Sequence, residues 1–83
     1  VILYFQYKGT PVDLEKSFLY FKMAADKGDV EAINLIGSMY ENGKGTQVDY
    51  NKALKYYRIA IEKSDTNAMI NYGKMFKDGL VLK

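Results

Sequence analysis

The amino-acid sequence predicts an all-α fold in which antiparallel helix pairs stack into a solenoid. Three observations carry this prediction. The chain resembles itself at an offset of 36 residues, each repeat holds two amphipathic helical patterns, and an aspartate precedes each complete pattern. A helix pair of this size covers its apolar side only against the next pair, and stacking of such units produces a helical solenoid.

The 36-residue offset needs no gap along the chain. The residues of the first copy that recur identically in the second are Tyr4, Lys8, Gly9, Thr10, Val12, Asp13, Lys16, Tyr20, Ala24 and Lys27. The next step carries over Asp29, Ala32, Gly37, Met39 and Gly43. Chance gives far fewer matches, so the sequence contains a true internal repeat. We expect one domain over residues 1–83, with a partial repeat at 1–27, a full repeat at 28–63 and a partial repeat at 64–83.

Apolar residues at helical spacing define the elements. The stripe of the first helix in the central repeat is Ala32, Leu35, Ile36, Met39 and Tyr40, and that of the second is Ala53, Leu54, Tyr57, Ala60 and Ile61. The earlier second helix supplies Leu14, Phe18, Phe21, Ala24 and Ala25. These stripes predict five helices: Val1–Gln6, Leu14–Lys27, Val30–Asn42, Tyr50–Lys63 and Thr66–Lys77.

Aspartates and glycines mark the predicted helix boundaries and the close contacts. Asp13, Asp29, Asp49 and Asp65 stand where N-caps belong, and capping explains them better than acid–base chemistry does. Gly37 and Gly73 occupy one position of the repeat within the first helix. A glycine there costs about 1 kcal/mol relative to alanine, so its recurrence indicates that two helices approach closely.

Composition narrows the possible functions. The 83 residues include 12 basic and 10 acidic side chains and neither cysteine nor histidine. Disulfides are therefore impossible, zinc lacks its two commonest ligand types, and a Ser-His-Asp triad cannot form. The segment Gly43-Lys44-Gly45-Thr46 lacks the Ser/Thr that follows lysine in a phosphate-binding loop, which makes it a repeat turn. The apolar run Val1–Phe5 is too short to cross a bilayer. We expect a protein that is not an enzyme, with no cofactor, no metal and no membrane segment.

These residues resemble the Sel-one-like repeat, a relative of the tetratricopeptide repeat. The central copy carries the family pattern in Ala32, Ile36-Gly37-Ser38-Met39-Tyr40, Gly43-Lys44-Gly45, Val48-Asp49, Lys52-Ala53 and Tyr56-Tyr57. The other copies depart from the pattern at Tyr7, at Ser17 and at Leu80-Val81, which affects loop shape more than fold. The resemblance implies a right-handed α/α superhelix that serves as an adaptor or scaffold for other proteins.

A tetratricopeptide-like arrangement places the first helix of each pair on the concave surface, where a partner can touch several repeats. The side chains of those helices that the core leaves free are Asn34, Ser38, Asn71 and Lys74. We expect them to bind a protein or peptide partner, and we expect self-association through exposed solenoid ends. Two alternatives stay open: a purely structural spacer, and an RNA-binding repeat using Lys52, Lys55, Arg58 and Lys63 beside Tyr56 and Tyr57. The near-neutral charge of +2 disfavours nucleic acid, and the sequence leaves the compartment open.

Overall fold

The computed structural model describes residues 13–81, which form four α-helices and no strand. The helices are α1 (Leu14–Asp26), α2 (Val30–Asn42), α3 (Tyr50–Glu62) and α4 (Thr66–Lys77). The predicted bounds of α2 and α4 are confirmed, whereas α1 and α3 each end one residue earlier than predicted. The predicted helix Val1–Gln6 lies outside the described residues.

The N-cap prediction is confirmed at all four helices. In each case the aspartate carboxylate accepts a hydrogen bond from a backbone N–H of the first turn, at 3.0 or 3.1 Å. The donors are the backbone amides of Lys16, Ala32, Lys52 and Asn67. A helix start leaves four N–H groups without partners inside the helix, and a capping carboxylate satisfies one of them. The four aspartates therefore fix where each helix begins.

Left-handed residues fix where the second helices end. Gly28 has a φ of +94°, and the amide of Asp29 behind it donates to the Ala24 carbonyl at 3.1 Å. This hydrogen-bond pattern closes the last turn, so α1 stops at Asp26 rather than continuing through Lys27. After α3, the same position is held by Ser64, whose φ is +69°. Ser64 is the only non-glycine residue with positive φ in the described part of the chain.

The four helices stack in chain order. The helix α1 packs on α2, α2 on α3 and α3 on α4, and α2 also contacts α4. The shared core consists of Phe18, Ala25, Ala32, Ile33, Ile36, Met39, Tyr40, Ala53, Leu54, Tyr57, Ala60, Ala68 and Met75. Because α2 contacts the other three helices, its buried surface is wider than the predicted stripe.

Most residues of the predicted stripes are buried, but burial departs from the stripes at several positions. Ile33 is buried although the stripe of α2 omitted it, and Leu35, which the stripe included, is only half-buried. On α1, Leu14 and Phe21 are 41% and 39% exposed. The periodicity of one helix shows which side is apolar, but the number of neighbours that cover this side decides how much of it is buried.

The predicted close approach is present at Gly37. A Cβ atom at this position would lie 2.7 Å from Cδ1 and Cε1 of Tyr57. The ring of Tyr57 is completely buried and lies directly against the backbone of α2. Gly73, at the same position of the repeat, has no such neighbour, because nothing lies within 4 Å of the Cβ position there. The interpretation that both glycines mark a close contact is therefore wrong for Gly73 in the described residues.

The turn residues provide a first prediction. Replacing Ser64 with glycine should raise the free energy of unfolding by about 1 kcal/mol, because a left-handed conformation costs roughly 1–2 kcal/mol for residues with a Cβ. Replacing Gly28 with serine should lower it by a similar amount. Urea denaturation followed by circular dichroism measures both changes. A change of the free energy of unfolding in the same direction for both variants would contradict this account of the turns.

The two helical glycines provide a second prediction. Gly37→Ala should lower the free energy of unfolding by about 1–2 kcal/mol, because a methyl group that meets a buried ring overpacks the interface and outweighs the better helix propensity. Gly73→Ala has open space around it and should raise the free energy of unfolding by roughly 0.5–1 kcal/mol. Each variant is the control of the other in denaturant melts. A loss of stability at both positions would show that α4 is packed differently.

Candidate interaction surface

The first helices of the two repeats, α2 and α4, bring two of the predicted partner-binding residues together. The side-chain amide of Asn71 donates a hydrogen bond to Oδ1 of Asn34 at 3.2 Å. Both side chains are half-buried, so each amide is fixed by its neighbour while one edge still reaches solvent. The structure thus makes a single polar unit from residues of two different repeats, which we call the asparagine pair.

The predicted residue Ser38 lies one turn after Asn34 on the same helix and is already engaged. The side-chain amide of Asn42 donates to the Ser38 carbonyl at 2.9 Å and to its hydroxyl at 3.3 Å. Ser38 is half-buried and also lies near the Tyr57 hydroxyl. Its hydroxyl therefore has less freedom to bind a partner than its spacing in the sequence indicated.

Lys74 is the most accessible of the four predicted residues. It lies in the last turn of α4, three residues beyond Asn71, and its side chain is exposed. No hydrogen bond joins Lys74 to Ser38 in the part of the chain that the structure describes. The four predicted residues thus divide into a contacting pair, one engaged hydroxyl and one exposed cation.

Below this surface, the Tyr57 hydroxyl holds α3 against α2. It donates to Oε1 of the half-buried Glu41 at 2.7 Å. Burial raises the pKa of Tyr57 well above its usual range, the hydrogen bond and the charge of Glu41 raise it further, and Ser38 offsets part of this change. A phenol that keeps its proton and has a carboxylate acceptor forms a strong anchor between the two helices.

A shallow cavity extends the surface beyond the residues found from the sequence. It has a volume of about 390 Å³ and lies at the start of α2, beside the turn between α3 and α4. Its lining residues are Val30, Glu31, Asn34, Lys63, Ser64, Asp65 and Asn67. They come from two helix starts and one turn, and only the tertiary arrangement brings them together. Of its lining residues, only Asn34 was predicted from the sequence to lie on the protein-interaction surface.

The structure weakens the RNA-binding alternative. Tyr57, one of the two tyrosines of that surface, is completely buried and cannot stack on a base. Tyr56 is half-buried and stacks on Tyr40 with ring centroids 5.8 Å apart. Lys52 lies over the Tyr40 ring at 5.4 Å from its centroid. The aromatic rings on this side of α3 are thus occupied within the protein.

The loop that resembled a phosphate-binding segment serves as a packing element. Gly43 and Gly45 both have positive φ, and the Asp49 amide donates to the Tyr40 carbonyl at 2.9 Å, which closes the loop onto the end of α2. A Cβ at Gly45 would collide with the Leu14 carbonyl of α1. Within residues 13–81, the acidic side chains form no group that could hold a metal ion, and no helix has the length and apolarity to cross a membrane.

The sequence profile of the Sel1 repeat matches residues 4–29, 30–65 and 66–83. This chain belongs to the Sel1 repeat family. The match confirms the resemblance seen in the motifs. Sel1 repeats generally form protein-interaction modules on a fold that is typically a non-catalytic scaffold.

Two solved structures support the assignment of the fold. A Sel1 repeat protein from Oxalobacter formigenes superposes with a TM-score of 0.78 and 32% identity over 86% of this chain. The protein c5321, a protective antigen present in uropathogenic Escherichia coli strains with a Sel1-like repeat fold, gives a TM-score of 0.78 and 30% identity over 87% of this chain. The chain spans 29% and 15% of the lengths of these two proteins. The search of curated proteins gave no match.

The contact between Tyr57 and Glu41 provides a third prediction. Tyr57→Phe should lower the free energy of unfolding by about 1–2 kcal/mol at neutral pH, because a hydrogen bond to a charged acceptor is lost. Above pH ~10 this difference should shrink. The unfolded parent chain then loses the Tyr57 proton while the folded chain keeps it, so the unfolded state binds fewer protons and the parent loses stability as the pH rises. Melts of both proteins from pH 7 to about 11 measure the effect, and a constant difference would contradict it.

Proposed function

We propose that this chain is a non-catalytic protein-interaction scaffold, and that it binds an extended peptide segment along the adjoining faces of α2 and α4. The asparagine pair carries this proposal. It lies where two repeats meet, so one partner segment that touches it contacts both repeats. Contact with several repeats at once is how helical solenoids gain affinity from weak individual contacts.

The hydrogen-bonding capacity of the asparagine pair fits a peptide backbone. Each amide side chain has two N–H donors and one carbonyl oxygen. After the bond from Asn71 to Asn34, the Asn34 amide nitrogen still has donors and the Asn71 carbonyl oxygen still accepts. One donor and one acceptor side by side match the C=O and N–H that an extended peptide offers, and the contact does not depend on the peptide side chains.

Lys74 adds a charge preference to this backbone contact. Three residues of helix separate it from Asn71, a rise of about 4.5 Å along the axis. An acidic side chain one or two residues away from the bound peptide unit can therefore reach the Lys74 ammonium group. We infer a preference for acidic peptides in extended conformation, with Ser38 at the edge of the surface in a supporting role.

A peptide array gives the direct test of this proposal. Random 12-residue peptides, with and without acidic residues, are displayed and probed with the unaltered chain, and the enriched peptides are measured by calorimetry. The double variant Asn34→Ala, Asn71→Ala should weaken binding by roughly 10-fold to 100-fold, the loss expected for two hydrogen bonds. Lys74→Glu should weaken the binding of acidic peptides by about fivefold, and Lys55→Glu, an equal charge change on the exposed side of α3, should have little effect.

Two results of the array would contradict the proposal. If no peptide is enriched above an unrelated helical protein, the spacer alternative is favoured. If peptides are enriched but the asparagine double variant binds them as tightly as the unaltered chain does, the surface lies elsewhere. Circular dichroism melts of each variant separate a lost contact from lost folding.

A further inference from the structure

The last turn of α2 leads into the only asparagine–glycine pair of the sequence, Asn42-Gly43. Each of the other four asparagines is followed by a residue with a side chain. Because glycine has no Cβ, its backbone nitrogen can approach the side-chain carbonyl of the preceding residue more closely than the nitrogen of any other residue can. At such a pair, an asparagine side chain can react with its own backbone without an enzyme or a cofactor.

The reaction is an intramolecular displacement, which the closeness of the two groups favours. The Gly43 backbone nitrogen attacks Cγ of Asn42, so that a bond forms between these atoms while the bond from Cγ to Nδ2 breaks. Ammonia leaves with the proton of the Gly43 amide, and a succinimide ring remains. Water then opens the ring at either of its carbonyl groups. One opening gives aspartate, and the other gives isoaspartate, in which the main chain runs through the side chain and is one carbon longer.

In the folded chain, hydrogen bonds hold both reacting groups. The Asn42 side-chain amide donates to the carbonyl and the hydroxyl of Ser38, at 2.9 and 3.3 Å, and the Gly43 N–H donates to the Met39 carbonyl. The helical ψ angle at Asn42 also keeps the succinimide ring from closing. Asn42 is nevertheless exposed and is the last residue of its helix, where opening costs the least free energy. The rate of the reaction therefore depends on how often the last turn of α2 opens.

The next repeat shows how a first helix ends when aspartate stands at this position. Asp78-Gly79 lies 36 residues after Asn42-Gly43, and α4 ends at Lys77, one residue earlier in the repeat than α2. An aspartate at position 42 would place a negative charge beside Glu41 and at the negative end of the helix dipole. It would also lack the N–H donors that engage Ser38. The aspartate product should therefore shorten α2 and release the Ser38 side chain.

The isoaspartate product should have a larger effect, because the loop after α2 has no spare room. The Asp49 amide donates to the Tyr40 carbonyl at 2.9 Å, and a Cβ at Gly45 would collide with the Leu14 carbonyl of α1. A main chain that is one carbon longer at position 42 has to move this loop, which lies against α1. The contact between the loop and α1 should then loosen together with the end of α2.

We propose that Asn42 is a site of spontaneous deamidation that becomes reactive when the last turn of α2 opens, and that the modification releases Ser38 and loosens the loop from α1. This inference does not depend on the proposed function, because the reaction needs only water and the chain itself.

Mass spectrometry of peptides from the full chain, incubated at mildly alkaline pH, tests the site. The change from amide to acid should accumulate at Asn42 at least about tenfold faster than at Asn51, which is also exposed but precedes a lysine. In urea, Asn42 should react roughly 10-fold to 100-fold faster than in the folded chain, because the last turn no longer has to open first. The variant Asn42→Gln keeps a neutral amide and should show no such change at position 42.

The modified chain, separated by ion exchange, tests the structural consequence. Its midpoint of urea unfolding should be lower than that of the unaltered chain, and hydrogen exchange of the backbone amides in residues 43–48 should be at least about threefold faster. The variant Asn42→Asp provides the aspartate product without isoaspartate and should show the smaller change of the two. Modification of Asn42 that is no faster than that of Asn51 overturns the proposal. Modification that occurs in urea but not in the folded chain overturns it as well, and so does a modified chain with unchanged unfolding and exchange.

Discussion

The ring of Tyr57 on the backbone of Gly37 is the contact on which the arrangement of α2, α3 and α4 depends. A missing Cβ lets α3 approach α2 until the ring touches the main chain, and the Glu41 carboxylate then fixes the hydroxyl at the far side of the ring. The completely buried Tyr57 side chain thus makes the apolar contact, the hydrogen bond and the close contact with the backbone of α2 at the same time. Any larger residue at position 37 has to displace the ring, and the hydrogen bond would be displaced with it.

This spacing also determines what the first helices can present to a partner. Because α3 lies close to α2 and α4 packs on α3, the two first helices come near enough for Asn34 and Asn71 to share a hydrogen bond. The opposite consequence appears on α4, where the glycine recurs without a ring above it. The packing of a second helix on this glycine position therefore explains both features. Where such a helix is present, Asn34 and Asn71 come together, and where it is absent, an apolar face of α4 stays uncovered.

Local rules in the sequence were sufficient for most of the fold. An aspartate before each of the four described helices predicted where that helix starts, because an N-cap depends only on its own turn. The predicted ends of α1 and α3 were each one residue too late, because the last turn closes ahead of the left-handed residues Gly28 and Ser64 and the residue before each of them leaves the helix. The repeat offset itself places Ser64 opposite Gly28, and this comparison could have indicated the strained turn. Burial was harder to predict, because it depends on which helices cover a side chain: Ile33 lies outside the predicted stripe and is buried, whereas Phe21 lies within it and is partly exposed.

The predicted interaction residues show the same limit of sequence reasoning. Helical spacing put Asn34, Ser38, Asn71 and Lys74 on the faces of the first helices, as the repeat requires. It could not show that Asn34 and Asn71 bind each other or that Asn42 engages Ser38, because the first depends on the distance between helices and the second on a side-chain rotamer. Contacts between repeats have to be measured in three dimensions.

In the described residues, the backbone of α1 packs only against α2, and apart from the contact of α2 with α4 each helix packs on its neighbours in the chain. Nearly all native contacts therefore join segments that are close in sequence. Chains of this kind close only short loops before their contacts form, and helical proteins with such low contact order fold within microseconds to milliseconds. The junction of α2 and α3 has the tightest packing, so it is the natural nucleus, with α1 and α4 adding to it afterwards. A ribosome that releases the chain from its N-terminus delivers α2 and α3 one after the other, so this nucleus can form before α4 is complete.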